Sequence, residues 1–288
     1  MSTRAFQQVD VFTATPYLGN PLAVVLNGSG LSTEAMQAFT NWTNLSECTF
    51  VLPPTQAGAD YKVRIFCPGR ELPFAGHPTL GTCHAWLQAG GRPAGELIVQ
   101  ECGVGLVKIR RMGERLAFAA PPLLKSGPLP EADVALIARG LGVARDDIVA
   151  HAWCDNGPNW RGVMLRSAEQ VLALKPNGAV LAGLDVGVVG PSGKVGVTAA
   201  QTLGADTDFE VRAFFPGNNG MAEDPVTGSL NAALAQWLMG AGIAPERYVA
   251  AQGKVLGRAG RIYLERDADG TIWVGGDSVT CIQGQVTL

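Results

Sequence analysis

The chain contains an internal repeat, and this repeat limits the fold more than any other feature of the sequence. Residues 61–82 read YKVRIFCPGRELPFAGHPTLGT and residues 209–229 read FEVRAFFPGNNGMAEDPVTGS, so that Val-Arg-x-Phe-x-Pro-Gly occurs twice. With one residue deleted, His77-Pro78 aligns with Asp224-Pro225. Each copy is typical of a strand, a loop and the start of a helix. The repeat predicts two related halves with one active site between them.

The helices predicted after the two repeated loops carry almost no charge. They are PTLGTCHAWLQ at 78–88 and PVTGSLNAALAQWLM at 225–239, each opening on a proline, which is favoured at the first helical position. A helix that is apolar on every face is a buried helix. We therefore predict an α+β fold of two similar halves, each an antiparallel, barrel-like sheet rolled around a buried central helix.

Length and proline content predict where the chain divides. A chain of 288 residues suits two domains. Four prolines fall within residues 121–130, which makes this stretch the best linker candidate. We predict domains at 1–125 and 126–277, with the C-terminal strand 278–288 able to join the first. In the later half we also predict a strand at Lys194–Ala200.

Composition and charge exclude several classes of protein. The net charge is −3 with no basic run, so neither nucleic acid nor an anionic membrane is an expected partner. There is no signal-peptide pattern and no apolar run of about 18 residues, so we expect a cytoplasmic protein. The six cysteines lack a Cys-x-x-Cys and are expected to be free thiols, and the three histidines lack metal-ligand spacing. We expect neither a metal nor another cofactor.

Three polar residues are candidates for chemistry. His77 and Asp224 stand at predicted helix N-termini, whose N–H groups and partial positive charge favour bound anions. The alternative is that both are simply N-caps. Glu47 enters an apolar strand, where desolvation would raise its pKa and suit proton transfer near neutral pH. The alternative is a glutamate at a strand end that points to solvent, and the residues alone leave both questions open.

Two tryptophans flank a polar loop in the second half. Trp153 and Trp160 enclose residues 154–159, and Tyr17 is a further aromatic candidate in the first half. These rings could line an apolar pocket for a cyclic substrate. The interpretation that we favour is that they are core or subunit contacts.

Four motifs taken together resemble the phenazine biosynthesis PhzF-like family. In chain order they are residues 10–12 with 19–25 (DVF, GNPLAVV), 44–47 (NLSE), 71–81 (ELPFAGHPTLG) and 223–229 (EDPVTGS). They span nearly the whole chain and occur in the family's order. The resemblance implies a diaminopimelate epimerase-like fold, with two similar halves and the active site between them, and a homodimer.

The resemblance also implies an activity and a set of site residues. The activity is that of a cofactor-independent isomerase that moves a proton between carbons of a small carboxylated, cyclic or unsaturated metabolite. The family's proton shuttle falls on Glu47, and its supporting polar residues fall on His77, Asp224 and Ser229. Cys48, after the shuttle, stands where the family often has threonine. The substrate contacts that we predict around these residues are Asn20, Gly76, Pro78, Thr79, Thr227 and Gly228.

Two other functions stay open at this stage. An epimerase or racemase of a small acid could use Glu47 as one base and water or Asp224 as the other. Related epimerases use two opposed cysteines, and none of the six cysteines here falls at either predicted helix start. A non-catalytic binding or scaffold protein could keep the same fold, although the intact set of four site residues counts against it.

Overall fold

The computed structural model describes residues 2–193, 206–217 and 220–288. By its internal contacts the chain divides into two compact units, with Met1–Ala119 and Gly275–Leu288 in unit 1 and Ala120–Val274 in unit 2. The domain boundaries proposed above stay a prediction, and the strand predicted at Lys194–Ala200 lies outside the described residues. None of the helices described is both long enough and apolar enough to cross a membrane.

The helices and strands follow one another in a sheet-rich order. Up to residue 119 they are β1 (Thr3–Val11), β2 (Asn20–Val25), α1 (Thr33–Thr43), β3 (Glu47–Leu52), β4 (Tyr61–Cys67), β5 (Arg70–Leu72), α2 (Gly76–Gln88), β6 (Ile98–Cys102), β7 (Gly105–Met112) and β8 (Arg115–Ala119). The rest are α3 (Glu131–Leu141), β9 (Ala150–Cys154), β10 (Trp160–Met164), α4 (Ala168–Ala173), β11 (Val186–Pro191), β12 (Phe209–Gly217), β13 (Gly220–Asp224), α5 (Gly228–Gly240), β14 (Arg247–Gln252), β15 (Gly260–Arg266), β16 (Ile272–Gly276) and β17 (Ser278–Thr287).

Unit 1 is a mostly antiparallel sheet with two parallel pairs. β1 lies antiparallel between β2 and β17, β3 pairs antiparallel with β4, and β6, β7 and β8 form a meander. The parallel pairs are β2 with β3 and β4 with β6. Each parallel pair encloses a helix in the chain, because a helical crossover returns the next strand in the same direction. The α+β class is confirmed, and the parallel pairs refine the antiparallel sheet that we predicted.

Unit 2 repeats this pairing order. β9 is antiparallel to β10, and β10 is parallel to β11 across α4. β12 is antiparallel to β11 and β13, parallel to β14 across α5, and β14 is antiparallel to β15. The repeat therefore extends well beyond the two segments in which the sequence shows it.

A matching ion pair fixes how the two copies align. The Arg64 guanidinium donates two hydrogen bonds to the Glu71 carboxylate, at 2.7 and 2.5 Å. The Arg212 guanidinium does the same to Glu223, at 2.8 Å in both bonds. Each arginine also lies over the phenylalanine two positions on, with 5.0 and 4.9 Å to the ring centroid. Glu71 is therefore the counterpart of Glu223.

This equivalence overturns the alignment made from the sequence. Counting forward from the paired glutamates, Gly76-His77 corresponds to Gly228-Ser229, and Asp224 corresponds to Leu72. The alignment of His77-Pro78 with Asp224-Pro225 is wrong. The cause lies in the hairpin before the glutamate, since Glu71 follows Gly69 by two positions whereas Glu223 follows Gly217 by six.

The two central helices begin elsewhere than predicted. α2 begins at Gly76 after the N-cap Ala75, and α5 begins at Gly228 after the N-cap Thr227. The predicted starts at Pro78 and Pro225 are wrong, because proline is tolerated on either side of a helix start and does not mark the first residue. The interpretation of His77 and Asp224 as N-caps is wrong for the same reason.

Both central helices are buried within their own units, as predicted. The buried residues of α2 are Gly76–Cys83 and Ala85, and those of α5 are Gly228, Leu230–Ala235, Leu238 and Met239. Close packing explains the small residues. A Cβ atom on Gly81 would lie 2.7 Å from Leu22 Cδ2 and 2.8 Å from Val11 Cγ2.

Gly81→Ala is expected to destabilise the protein by about 1–3 kcal/mol, because the added methyl group overpacks the core around α2. Alanine is favoured over glycine in a helix by about 1 kcal/mol, which works against this loss. Urea unfolding of the parent and the variant measures the difference. Gly95→Ala is the control, since a Cβ there meets no atom within 4 Å. An equal or higher stability for Gly81→Ala would contradict the packing described here.

A buried carboxyl group in unit 2 also affects stability. Burial raises the pKa of Glu210 on β12 to about 7, although the charges of Lys254, Arg261 and Arg212 lower it. Below the unfolded-state pKa the carboxyl group is protonated in both states, and its full contribution to the stability of the fold is present. That contribution is lost as the pH rises through the folded-state pKa of about 7, because the buried group must then ionise. Glu210→Gln is therefore expected to stabilise the protein by about 2 kcal/mol at pH 8 and to change little near pH 4.5. Urea unfolding at both pH values tests this, and equal effects at the two would contradict it.

Candidate active site

The start of α2 places His77 inside unit 1. His77 is the second residue of the helix, and its side chain is 5% exposed. No side chain caps this helix among the residues described, and Pro78 at the third position has no N–H to offer. The backbone N–H groups of Gly76 and His77 therefore have no helical partner, as at any helix start.

Glu47 lies against this histidine. It is the first residue of β3, opposite Leu22 of β2, and it follows Asn44, whose left-handed conformation (φ 57°) ends α1. The Glu47 side chain is 17% exposed, and its Oε2 is 3.5 Å from His77 Nε2. The alternative of a glutamate pointing freely to solvent does not describe this geometry. A raised pKa for Glu47 stays a prediction.

Burial keeps the His77 ring neutral. Desolvation lowers its pKa to about 3, while a hydrogen bond with the Pro21 backbone acts in the opposite direction. The contact with Glu47 is therefore not an ion pair near neutral pH. The Asn20 amide Nδ2 is 3.4 Å from His77 Nδ1. In the tautomer in which this amide donates to Nδ1, the single ring proton lies on Nε2, the atom that faces Glu47.

The turn between β1 and β2 positions Asn20. The Gly19 N–H donates to Asp10 Oδ2 at 2.9 Å, and Asp10 is buried. A Cβ atom on Gly19 would lie 2.2 Å from the Val11 carbonyl oxygen, so only glycine fits at this position. Asp10 belongs to the DVF motif at residues 10–12, but the sequence predicted no role for it. In the structure it shapes the turn that carries Asn20.

Asp224 belongs to a hydrogen-bond network within unit 2. The Thr227 hydroxyl donates to Asp224 Oδ2 at 2.7 Å. Gln252 Nε2 donates to the Asp224 carbonyl oxygen at 3.0 Å and to the Thr227 hydroxyl at 2.9 Å. Gln252 Oε1 in turn accepts from the Thr227 N–H at 3.0 Å and from Asn231 Nδ2 at 2.9 Å. Because the amide of Gln252 is buried and fully used, the network holds Asp224 and Thr227 in one arrangement.

Ser229 occupies the position in α5 that His77 occupies in α2. Its Oγ accepts a hydrogen bond from Trp160 Nε1 at 3.2 Å, and its carbonyl oxygen accepts from Asn156 Nδ2 at 2.9 Å. Trp160 and Trp153 are both buried and Tyr17 is exposed, which agrees with the core interpretation of the two tryptophans. A pocket lined by these rings stays a prediction. Asn156, which the sequence did not single out, helps to fix the start of α5.

The structure thus groups the predicted residues unit by unit. Glu47, His77 and Asn20 come together in unit 1. In unit 2 Thr227 is bonded to Asp224, whereas Ser229, two residues further on, is bonded to Trp160 and Asn156. Thr79 is buried, and its hydroxyl is bonded to the Ala75 carbonyl oxygen at 2.9 Å and to Gln100 Nε2 at 3.0 Å. A direct role for Thr79 in binding substrate stays a prediction, as do those of Gly76, Pro78 and Gly228 at the helix starts. Within the described ranges, no three His, Cys, Asp or Glu side chains are grouped closely enough to hold a metal ion.

Comparison with known proteins identifies the family. The model of the family described as phenazine biosynthesis-like protein matches residues 9–284. Antisense-enhancing sequence 1 of Schizosaccharomyces pombe is 34% identical, covering 99% of each chain, and trans-2,3-dihydro-3-hydroxyanthranilate isomerase of Pseudomonas aeruginosa is 32% identical, covering 97% of this chain and 98% of that one. A PhzF-family crystal structure from Enterococcus faecalis superposes with a TM-score of 0.79 at 25% identity, covering 100% of both chains. The chain therefore belongs to the phenazine biosynthesis-like protein family, has its diaminopimelate epimerase-like fold, and is an isomerase of the PhzF type.

Proposed function

We propose that the chain is a cofactor-independent isomerase that moves a proton between two carbons of a small carboxylated, cyclic or unsaturated metabolite, with Glu47 as the proton shuttle. The contact between the Glu47 carboxylate and the buried, neutral His77 supports this most directly. A relative from Pseudomonas aeruginosa is named for the isomerisation of trans-2,3-dihydro-3-hydroxyanthranilate, which is a cyclic carboxylate.

The proposed reaction needs one base and conserves both protons and electrons. The Glu47 carboxylate removes a proton from one carbon, and the electron pair of the broken C–H bond forms a new double bond while the pair of the neighbouring double bond moves to its far carbon. The carboxylic acid then returns the proton to the carbon at the far end of that shift, which restores the carboxylate. Acid–base catalysis of this kind contributes about a hundred- to ten-thousandfold in rate. The remaining acceleration would come from positioning and from fixed electrostatics.

His77 would position the reacting groups rather than transfer the proton. A ring with a pKa of about 3 stays neutral near pH 7, so its Nε2–H can donate to Glu47 or to a polar group of the substrate without adding a positive charge. A neighbouring imidazolium would favour the carboxylate and make Glu47 a weaker base. A neutral ring leaves the base strength of Glu47 higher.

We assign substrate binding to the start of α2 and to polar residues of unit 2. The N–H groups of Gly76 and His77 suit a substrate carboxylate, since a helix N-terminus favours an anion. We assign to Ser229 a hydrogen bond to the substrate, and to Asp224 the orientation of a substrate hydroxyl or amino group. The Thr227–Gln252 network would keep Asp224 in place for that purpose.

Proton transfer can be tested directly with the purified protein. It is incubated in D2O with trans-2,3-dihydro-3-hydroxyanthranilate and with a panel of small cyclic and unsaturated carboxylates, and each mixture is followed by proton NMR. The expected result is a double-bond shift in at least one compound, with the proton gained at a second carbon. Exchange confined to one stereocentre would favour an epimerase instead. No reaction and no saturable thermal shift with any compound would favour a non-catalytic binding protein.

A further inference from the structure

Arg70 lies on the same face of the unit 1 sheet as Glu47. In the β3–β4 pair Cys48 is opposite Phe66, so the register continued by one residue places Glu47 opposite Cys67. In the β4–β5 hairpin Cys67 is opposite Arg70. Residues directly opposite one another in an antiparallel pair project from the same face. The side chains of Glu47, Cys67 and Arg70 therefore form a row across three neighbouring strands.

The face that carries this row packs on α2. Side chains alternate between the two faces of a strand, so Thr49 shares the face of Glu47. Thr49 accepts a hydrogen bond from the Thr82 hydroxyl of α2 at 2.8 Å, and Glu47 lies 3.5 Å from His77 at the start of the same helix. Adjacent strands are about 4.8 Å apart, so about 10 Å separates the backbones of Arg70 and Glu47.

The Arg70 side chain lies over Cys67 and has no acidic partner. Burial raises the pKa of the Cys67 thiol, the interaction with the Arg70 side chain lowers it, and the charge of Glu47 raises it. Arg70 is exposed, and within the described ranges no carboxylate forms an ion pair with it. On the opposite face of the same hairpin, Arg64 is bound through two hydrogen bonds to Glu71. The charge of Arg70 is therefore available to an anion beside Glu47.

Helix α1 holds the tip of the hairpin that carries Arg70. Asn41 Oδ1 accepts a hydrogen bond from the Gly69 N–H at 3.0 Å. Gln37 Nε2 donates to the Cys67 carbonyl oxygen at 2.8 Å and to Asn41 Oδ1 at 2.9 Å. The backbone at Arg70 is thus fixed before any ligand arrives, which lowers the entropic cost of binding.

The repeated fold does not require a charge at this position. Counting back by one residue from the equivalent glutamates, Arg70 corresponds to Ala222 and Cys67 is replaced by Phe215. Phe215 and Ala222 are opposite one another in the β12–β13 hairpin, as Cys67 and Arg70 are in β4–β5. Unit 2 therefore builds the same hairpin with an apolar pair, and the arginine of unit 1 is explained by a ligand better than by the fold.

We propose that Arg70 binds a second carboxylate of the substrate, which is therefore a cyclic or unsaturated dicarboxylate. This inference rests on the proposed function, which puts one carboxylate at the start of α2 and the reacting carbon at Glu47. A guanidinium binds a carboxylate through two parallel hydrogen bonds. The Glu47 carboxylate would repel a dianion beside it, and the positive charge of Arg70 offsets that repulsion.

Calorimetric titration with two matched pairs of ligands tests this. Muconate and sorbate share a diene chain, isophthalate and benzoate share a ring, and within each pair the first has one more carboxylate. The parent is expected to bind at least one dicarboxylate about tenfold more tightly than its matched monocarboxylate. Arg70→Ala is expected to remove this preference and Arg70→Lys to keep part of it, since lysine retains the charge without the fork.

Arg92→Ala is the matched control for this titration. Arg92 is exposed in the same unit and follows the C-terminal end of α2, whereas His77 is at its start. The control is expected to keep the preference of the parent. Equal affinities within both pairs for the parent, no measurable binding of any of the four compounds, or an unchanged preference in Arg70→Ala would each overturn the inference.

Turnover separates this inference from the proposed function. For a dicarboxylate that reacts in D2O, Arg70→Ala is expected to raise KM about tenfold and to leave kcat within about twofold, because the contact is the same in the ground state and the transition state. A preference that depends on Arg70 without turnover of any compound would contradict the isomerase proposal alone. Equal turnover of monocarboxylates and dicarboxylates, with no effect of Arg70→Ala, would contradict the role of Arg70 alone.

Discussion

Replacing Glu47 by glutamine is expected to abolish isomerisation while leaving the fold intact. Glutamine has nearly the same shape and still offers an oxygen to the Nε2–H of His77, so the 3.5 Å contact can persist. The amide cannot accept a proton from carbon at neutral pH. We therefore expect kcat to fall by about a hundred- to ten-thousandfold, with a smaller change in KM.

The measurement compares the parent, Glu47→Gln and a control under the assay that shows turnover for the parent. Glu96→Gln is a suitable control because Glu96 is exposed and lies outside the site. Circular dichroism and the thermal midpoint show whether each variant is folded. Undiminished turnover by a folded Glu47→Gln variant would refute the shuttle. Loss of turnover in Glu96→Gln as well would show that the assay does not report on Glu47.

The overall fold could be predicted from the sequence because its signals are local. The absence of charge from α2 and α5 is visible in thirteen residues each, and it identified both as buried central helices. The repeated Val-Arg-x-Phe-x-Pro-Gly identified two related halves. The parallel strand pairs were missed because parallel and antiparallel neighbours give the same pattern within one strand.

The alignment of the repeat failed for a physical reason. Matching a polar residue before proline gave His77 with Asp224, whereas the structure matches the bidentate Arg64–Glu71 pair with Arg212–Glu223. The two strands of this hairpin are longer in the second copy, since the pairing ends at Cys67 and Arg70 in the first copy and at Gly217 and Gly220 in the second, and this shifted the proline motif. A comparison based on the arginine–glutamate pair would have found Ser229 as the counterpart of His77.

The candidate site could be predicted only in part. The residues alone did not decide whether Glu47 is a catalytic base or a glutamate exposed to solvent, and the family resemblance pointed to the catalytic role. Gln252 could not be predicted as a partner of Asp224, because it lies 28 positions further along the chain. The β12–β14 pairing of unit 2 brings Gln252 close to Asp224. The protonation state of His77 depends on burial by segments distant in sequence, so no local pattern reports it.

The folded state is expected to lose stability steeply in acid because of His77. Its pKa is about 3 in the folded protein and 6.5 as a model value, since burial penalises the charged ring. As the pH falls below about 6.5, His77 becomes protonated in the unfolded chain but stays neutral in the folded chain. This difference favours unfolding increasingly until the pH reaches about 3, where the folded chain also binds the proton. One pKa unit corresponds to about 1.4 kcal/mol, so this histidine costs about 2–3 kcal/mol at pH 4.5 relative to pH 7.5.

His77→Gln isolates this effect, because glutamine keeps a donor near Glu47 but does not titrate. The free energy of unfolding in urea is measured for the parent and the variant at pH 7.5 and pH 4.5. The parent is expected to lose about 2–3 kcal/mol more than the variant between these values. His84→Gln provides a comparison, since burial also lowers the pKa of His84 but the ring is only half-buried, and a smaller difference is expected. Equal losses in the parent and His77→Gln would mean that the ring becomes protonated within the folded protein, and the neutral positioning role of His77 would then fail.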